Sequence, residues 1–69
     1  MKILKLHENE YVFDEETGDI TITKELSAKN DLQQEERVAV SFLDEEDQRH
    51  FPEFKVHKNF YNVRLEYLT

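Results

Sequence analysis

Apolar residues in this chain recur at every second position. Leu4 and Leu6 share a parity, as do Tyr11 with Phe13, Ile20 with Ile22, Val38 with Val40 and Phe42, Phe54 with Val56, and Tyr61 with Val63, Leu65 and Tyr67. Successive side chains on a strand point to opposite faces, so each set lines one face of a strand. A hairpin register must then set apolar residues opposite apolar residues. A two-residue turn at Glu8-Asn9 places Leu6 against Tyr11 and Leu4 against Phe13. A four-residue loop, Glu15-Glu16-Thr17-Gly18, places Phe13 against Ile20 and Tyr11 against Ile22. A turn at Lys58-Asn59 places Val56 against Tyr61 and Phe54 against Val63. Each of the three registers yields an apolar inner face.

The link between the two groups of strands is less regular. The stretch LSAKNDLQQEER has no alternation, and Asn30 with Gln33 has the form of an N-cap and its capping-box partner. One or two helical turns are expected there, followed by a strand from about residue 37 to 43. Beyond the polar run 44–50, Phe51-Pro52 marks a strand start or an edge, because proline cannot donate to a ladder. The expected fold is all-β and mainly antiparallel. Two three-stranded meanders, 2–24 and 37–68, flank a polar linker, 25–36, that holds one short helical turn. Their apolar faces cover each other as a small sandwich or partly open barrel.

The chain's 69 residues form a single domain, 1–69, close to the lower size limit for an independent core. A chain of this size buries only roughly 60% of its unfolded surface. It has no cysteine, so neither disulfides nor a thiolate zinc site supplement that core. The lack of cysteine and of any long apolar run points to a soluble, cytoplasmic protein. Charged residues make up 36% of the chain, which raises the question of disorder. The three tyrosines, five phenylalanines and regular alternation answer it in favour of folding.

Nine basic residues against sixteen acidic ones leave a net charge of −7. Direct binding of nucleic acid or anionic membrane needs a positive face, so both are poor partners, and a basic protein surface is the natural complement. The acids are grouped. Glu8, Glu10, Asp14, Glu15, Glu16 and Asp19 fall in a stretch with no Lys or Arg. Asp44, Glu45, Glu46 and Asp47 are followed by Arg49 and Glu53. The linker adds Glu25, Asp31, Glu35 and Glu36 against Lys29. The last hairpin, by contrast, carries Lys55, Lys58 and Arg64.

Several chemistries do not fit this pattern. Asp14–Asp19 lacks the alternating oxygen spacing and the sixth-position glycine of an EF-hand calcium loop, and strands rather than helices flank it. A hairpin loop with Gly18 in the left-handed region accounts for its geometry. His50 and His57 lie at opposite ends of the last hairpin, roughly 23 Å apart along a strand, too far to share an ion. In the expected register His50 faces Tyr67 and His57 faces Phe60. Neither serine, Ser27 or Ser41, sits on a special turn beside a base, as a nucleophile requires, and the single glycine cannot build a phosphate loop. No catalytic, metal-ligating or cofactor-binding residue is assigned.

The acids therefore carry the functional expectation. Alternate strand residues lie roughly 7 Å apart, a spacing suited to presenting carboxylates to Arg and Lys side chains. The expected activity is that of a small acidic, non-enzymatic protein-binding module. Acting in effect as a DNA mimic, it would occlude a basic nucleic-acid-binding surface of a partner protein. Small acidic inhibitors of bacteriophages and mobile elements work in this way as a class, and the link is one of analogy. The expected contacts are Glu8, Glu10, Asp14, Glu15, Glu16 and Asp19 with Asp44, Glu45, Glu46 and Asp47. The alternative is a structural or assembly subunit, such as a homodimer, joined through strand edges and aromatics. Lys2–His7 and Tyr61–Leu68 are the expected edges, and Phe51, Phe54, Phe60 and Tyr61 exceed what a three-stranded face can hide.

Overall fold

The computed structural model describes residues 1–43 and 50–68. Its strands are β1 (Lys2–Leu6), β2 (Val12–Phe13), β3 (Ile20–Ile22), β4 (Arg37–Phe42), β5 (His50–Lys58) and β6 (Val63–Tyr67). A short helix, α1 (Lys24–Lys29), follows β3, and a 3-10 turn, Glu8–Glu10, lies between β1 and β2. The strands form one mixed sheet in the order β1-β4-β5-β6-β3-β2. β1 runs parallel to β4, and every other pairing is antiparallel.

The protein is mostly β, as the alternation requires, but the first meander does not form. β1 pairs with β4 and does not fold back on β2. A two-residue hairpin needs residues with positive φ. Among the described residues only Gly18, Asp31 and Glu35 have it, so Glu8-Asn9 does not form such a turn. The chain takes the 3-10 turn there instead, closed by reciprocal bonding between His7 and Glu10. β1 and β2 thereby become two halves of one bent run whose first half joins β4 and whose second half joins β3.

This bent run curls the sheet. Six strands laid flat would separate the terminal strands by roughly 24 Å. The link 7–11 includes a 3-10 turn that rises only about 2 Å per residue, so the two edges must approach each other. The sheet closes into a half-barrel, and the Tyr11 ring lies 4.8 Å from the Phe42 ring across the opening. One curled sheet replaces the expected pair of meanders.

Leu4, Leu6, Ile20, Ile22, Val38, Val40, Phe42, Phe54, Val56, Val63 and Leu65 line the interior, each at the parity expected of it. Leu32 joins them from the linker, and Leu26 of α1 packs against the cluster. The second meander, β4-β5-β6, does form. Its last hairpin is shifted by four residues: Val56 faces Leu65, and Phe54 faces Tyr67. An even shift keeps every side chain on its face. It also removes Tyr61 from the strand. β6 is not the expected C-terminal edge, because β3 pairs with its other side and the sheet ends at β2. His57 consequently faces Arg64, while His50 pairs with Ser41 of β4.

Pro52 lies inside β5, a central strand, rather than at a strand start or an edge. Between the pairs Val40–Phe51 and Val38–Phe54, Pro52 and Glu53 together oppose Ala39, so a bulge accommodates the proline. The helix also differs from expectation. Thr23 is its N-cap and accepts from the Leu26 amide, while Asn30 is its C-cap and donates to the Leu26 carbonyl.

Candidate partner-binding surface

The loop between β2 and β3 is closed by its first residue. Asp14 Oδ1 accepts from the amides of Glu16 at 2.9 Å and Thr17 at 3.4 Å, and the Gly18 amide donates to the Asp14 carbonyl at 2.7 Å. Gly18 has φ +81, a conformation that favours glycine, and a Cβ there would also sit tightly against the Tyr67 ring at 3.1 Å. Phe13 pairs with Ile20, as the sequence predicts. Asp14, Glu15 and Glu16 are left exposed at the tip.

Asp19 behaves differently from its neighbours. Its side chain is only 17% exposed, with Oδ2 accepting from the Arg64 guanidinium at 3.0 Å and Oδ1 from the Tyr67 amide at 3.0 Å. It fastens the loop to β6, and both oxygens face inward. Glu10 is half-buried and accepts from the His7 amide at 2.8 Å, while Glu8 is exposed. Asp44, Glu45, Glu46 and Asp47 lie outside the described residues.

The ion pairs among the described residues are Lys2–Glu36, Arg37–Glu53, His57–Glu66 and Arg64–Asp19. All of them involve acids other than Glu8, Glu10, Asp14, Glu15 and Glu16. The acids bracketing edge strand β2, like the linker acids Glu25, Asp31 and Glu35, have no ion-pair partner among the described residues. Among the same residues, no three His, Cys, Asp or Glu side chains converge to hold a metal ion. No helix is long and apolar enough to cross a membrane.

A second exposed feature comes from the loop between β5 and β6. Asn59 Oδ1 accepts from the amides of Tyr61 at 2.9 Å and Asn62 at 2.8 Å, and its Nδ2 donates to Asn62 Oδ1 at 2.8 Å. Backbone pairing between Asn59 N and Asn62 O at 3.0 Å completes the closure. The tip is Phe60-Tyr61, exposed by 81% and 84%, with the rings edge to face at 5.1 Å. Lys24 Nζ donates to the Phe60 carbonyl at 3.2 Å and lies 5.6 Å from the centre of its ring. Of the aromatics expected to exceed the core's capacity, Phe54 is fully buried, while Phe60 and Tyr61 are displayed. The sequence signal for this tip was the pair of asparagines three apart, each able to bind backbone amides.

Tyr61, Val12 and Glu10 line a hollow of about 320 Å³, which adjoins one of about 300 Å³ lined by Glu10, Thr23, Glu25 and Leu26. Val12 is 71% exposed. Tyr61, Val12 of edge strand β2 and Glu10 therefore border one hollow, and Glu10 with Glu25 and Lys29 borders the next. Comparison with protein families, curated proteins and solved structures gives no match to this chain.

Proposed function

We propose that this chain is a small, cytoplasmic, non-enzymatic module that binds another protein and occludes a basic, nucleic-acid-facing surface on it. The observation that carries this reading is the division among its carboxylates. Asp19, Glu36 and Glu53 each hold an Arg or Lys and Glu66 bonds the His57 ring, whereas Glu8, Glu10, Asp14, Glu15 and Glu16 have no such partner among the described residues, nor do the linker acids Glu25, Asp31 and Glu35. Uncompensated acids on both flanks of β2 favour a partner that brings its own Arg and Lys side chains. Nucleic acid itself is repelled by the same groups. The homo-oligomer reading keeps only β1 and β2 as terminal strands, and β2 offers two residues.

The test is capture from host lysate by the tagged chain at low salt, with bound proteins identified by mass spectrometry. The expected result is a basic nucleic-acid-binding protein that elutes as salt rises and is lost when Asp14, Glu15 and Glu16 are all replaced by Lys. Retention that ignores salt, or survives that triple replacement, sinks the electrostatic mechanism.

A further inference from the structure

β5 runs on past the end of β4. Their last register pair is Arg37–Lys55, so on that side the main-chain groups of Val56 and Lys58 are met by the linker 30–36 instead. The Glu35 amide donates to the Val56 carbonyl at 2.7 Å and the Val56 amide to the Glu36 carbonyl at 2.8 Å, which sets two linker residues against one strand residue. At Lys58 a side chain takes the place of a strand. Gln34 Oε1 accepts from the Lys58 amide at 2.6 Å, and Gln34 Nε2 donates to the Lys58 carbonyl at 3.2 Å. Leu32 anchors the same segment in the core at 1% exposure. The linker is thus a strap laid across the far end of a central strand.

The strap is held under strain. Asp31 and Glu35 have φ 51 and φ 64, a backbone region that favours glycine. Glu35 is the third residue of a turn in which the Glu36 amide donates to the Gln33 carbonyl at 3.2 Å, a place where positive φ selects Gly or Asn. On the β1 side a hollow of about 290 Å³, lined by Lys2, Ile3, Leu4, Asn30 and Leu32, leaves the strap loosely packed. Lys2 spans it with a bond to the Asp31 carbonyl and an exposed ion pair to Glu36. One buried leucine and a set of mostly exposed bonds therefore oppose a strained backbone, and segments with that balance open before the rest of a fold. We propose that the strap 30–36 opens as a unit while the sheet stays folded, uncovering the Val56–Lys58 edge of β5, and that Gln34 is its latch. This conformational device is independent of the acidic-module reading.

The test is amide hydrogen exchange of the full chain in low, non-denaturing urea. The expected result is that the amides of Leu32, Glu35, Val56 and Lys58 share one opening with a weak urea dependence. Their protection should be at least about tenfold below that of amides in the middle of β4 and β6. Two substitutions separate the strap from the sheet. Ile20→Val, in β3 and away from the strap, should lower protection in the sheet about fivefold and leave the strap amides unchanged, because the open and closed forms share that core. Gln34→Ala should lower strap protection about tenfold through the loss of both Lys58 bonds, and Glu35→Gly should raise it by relieving the backbone. Strap amides that follow the sheet in Ile20→Val, or that share its urea slope, open only by global unfolding and overturn the proposal. Strap protection that ignores Gln34→Ala removes the latch. Because the urea dependence is read on the unaltered chain, it decides the question even where a variant fails to fold.

Discussion

The loop after β2 and the loop after β5 close in the same way and display opposite chemistry. In each, the first residue is an Asx whose Oδ1 accepts from the amides two and three positions ahead: Glu16 and Thr17 for Asp14, Tyr61 and Asn62 for Asn59. In each, the two residues after the Asx form the tip, Glu15-Glu16 in one and Phe60-Tyr61 in the other. A shared clamp frees the tip from structural duty, so tip composition reports on something other than folding. The loops differ in how they join the sheet. Both close within themselves, but the acidic loop is in addition fastened to β6 through the Asp19 carboxylate, whereas the aromatic loop adds the Asn59–Asn62 side-chain bond and a contact from Lys24.

Loss of the Asp19 fastener has the largest expected effect. Asp19→Ala deletes a charge-assisted bond to Arg64 and leaves the Tyr67 amide without its acceptor. The expected loss is about 3 kcal/mol, combining an ionic hydrogen bond with a partly buried unpaired donor. Urea unfolding measures it. A loss no larger than that of an exposed acid such as Glu15→Ala shows that the loop does not depend on Asp19.

The two clamps rank next. Asn59→Ala removes three side-chain hydrogen bonds and is expected to cost about 2 kcal/mol, while Asp14→Ala removes one good bond and one long one and costs about 1 kcal/mol. Asn59→Asp, which keeps the acceptor but loses the donor to Asn62, should fall between wild type and Asn59→Ala. Equal losses for Asp14→Ala and Asn59→Ala in the same unfolding assay remove the distinction between the two clamps.

How legible these loops were differs for a physical reason. The acidic loop was readable because Gly18 and the apolar pair Phe13–Ile20 fix its length and register together. The aromatic loop was misread because period-two parity survives any even shift: Val56 can face Tyr61 or Leu65 with an equally apolar face. What decides between them is the two-amide bonding of Asn59, a side-chain event that apolar parity does not register. The same limit explains β1. Its inward residues Leu4 and Leu6 were evident, but parity says nothing about which strand lies alongside, and β1 pairs with β4. Leu32 went unnoticed because a core residue contributed by a loop has no periodic neighbours. Of the candidate site residues, all were visible as acids. That Asp19 is tied to the fold and Glu16 is not depends on Arg64, which is distant in sequence.

Polar groups in both loops find partners, and α1 supplies the contrast. Ser27 is 2% exposed, and its Oγ has no hydrogen-bond partner among the described residues. An unsatisfied buried hydroxyl is destabilising, and alanine is also the better helix former. Ser27→Ala is expected to raise stability by about 1 kcal/mol, read as a higher urea midpoint with unchanged slope. A loss of stability instead would mean that the hydroxyl is satisfied in solution.

The smallest expected effect concerns a third turn closed by a side chain. Glu36 closes Gln33–Glu36 from its far end: Oε1 accepts from the Gln33 amide at 3.0 Å, while the Glu36 amide donates to the Gln33 carbonyl at 3.2 Å. The Gln33 N–H, helped by the nearby Lys2 ammonium, holds the Glu36 carboxyl below its ordinary value of 4.5 against the opposing effect of desolvation. A carboxyl whose folded pKa is depressed stabilises the fold above its unfolded pKa, and the contribution disappears as pH falls through the folded value. Glu36→Gln should therefore lie below wild type at neutral pH and converge with it once the pH is well under 4.5. Salt separates the two causes, because it screens the exposed Lys2 charge far more than it weakens a hydrogen bond to the backbone. If the Gln33 amide dominates, the gap between wild type and Glu36→Gln at neutral pH persists in high salt. A gap that closes with salt assigns the effect to Lys2 and removes Glu36 from the set of side chains that clamp turns.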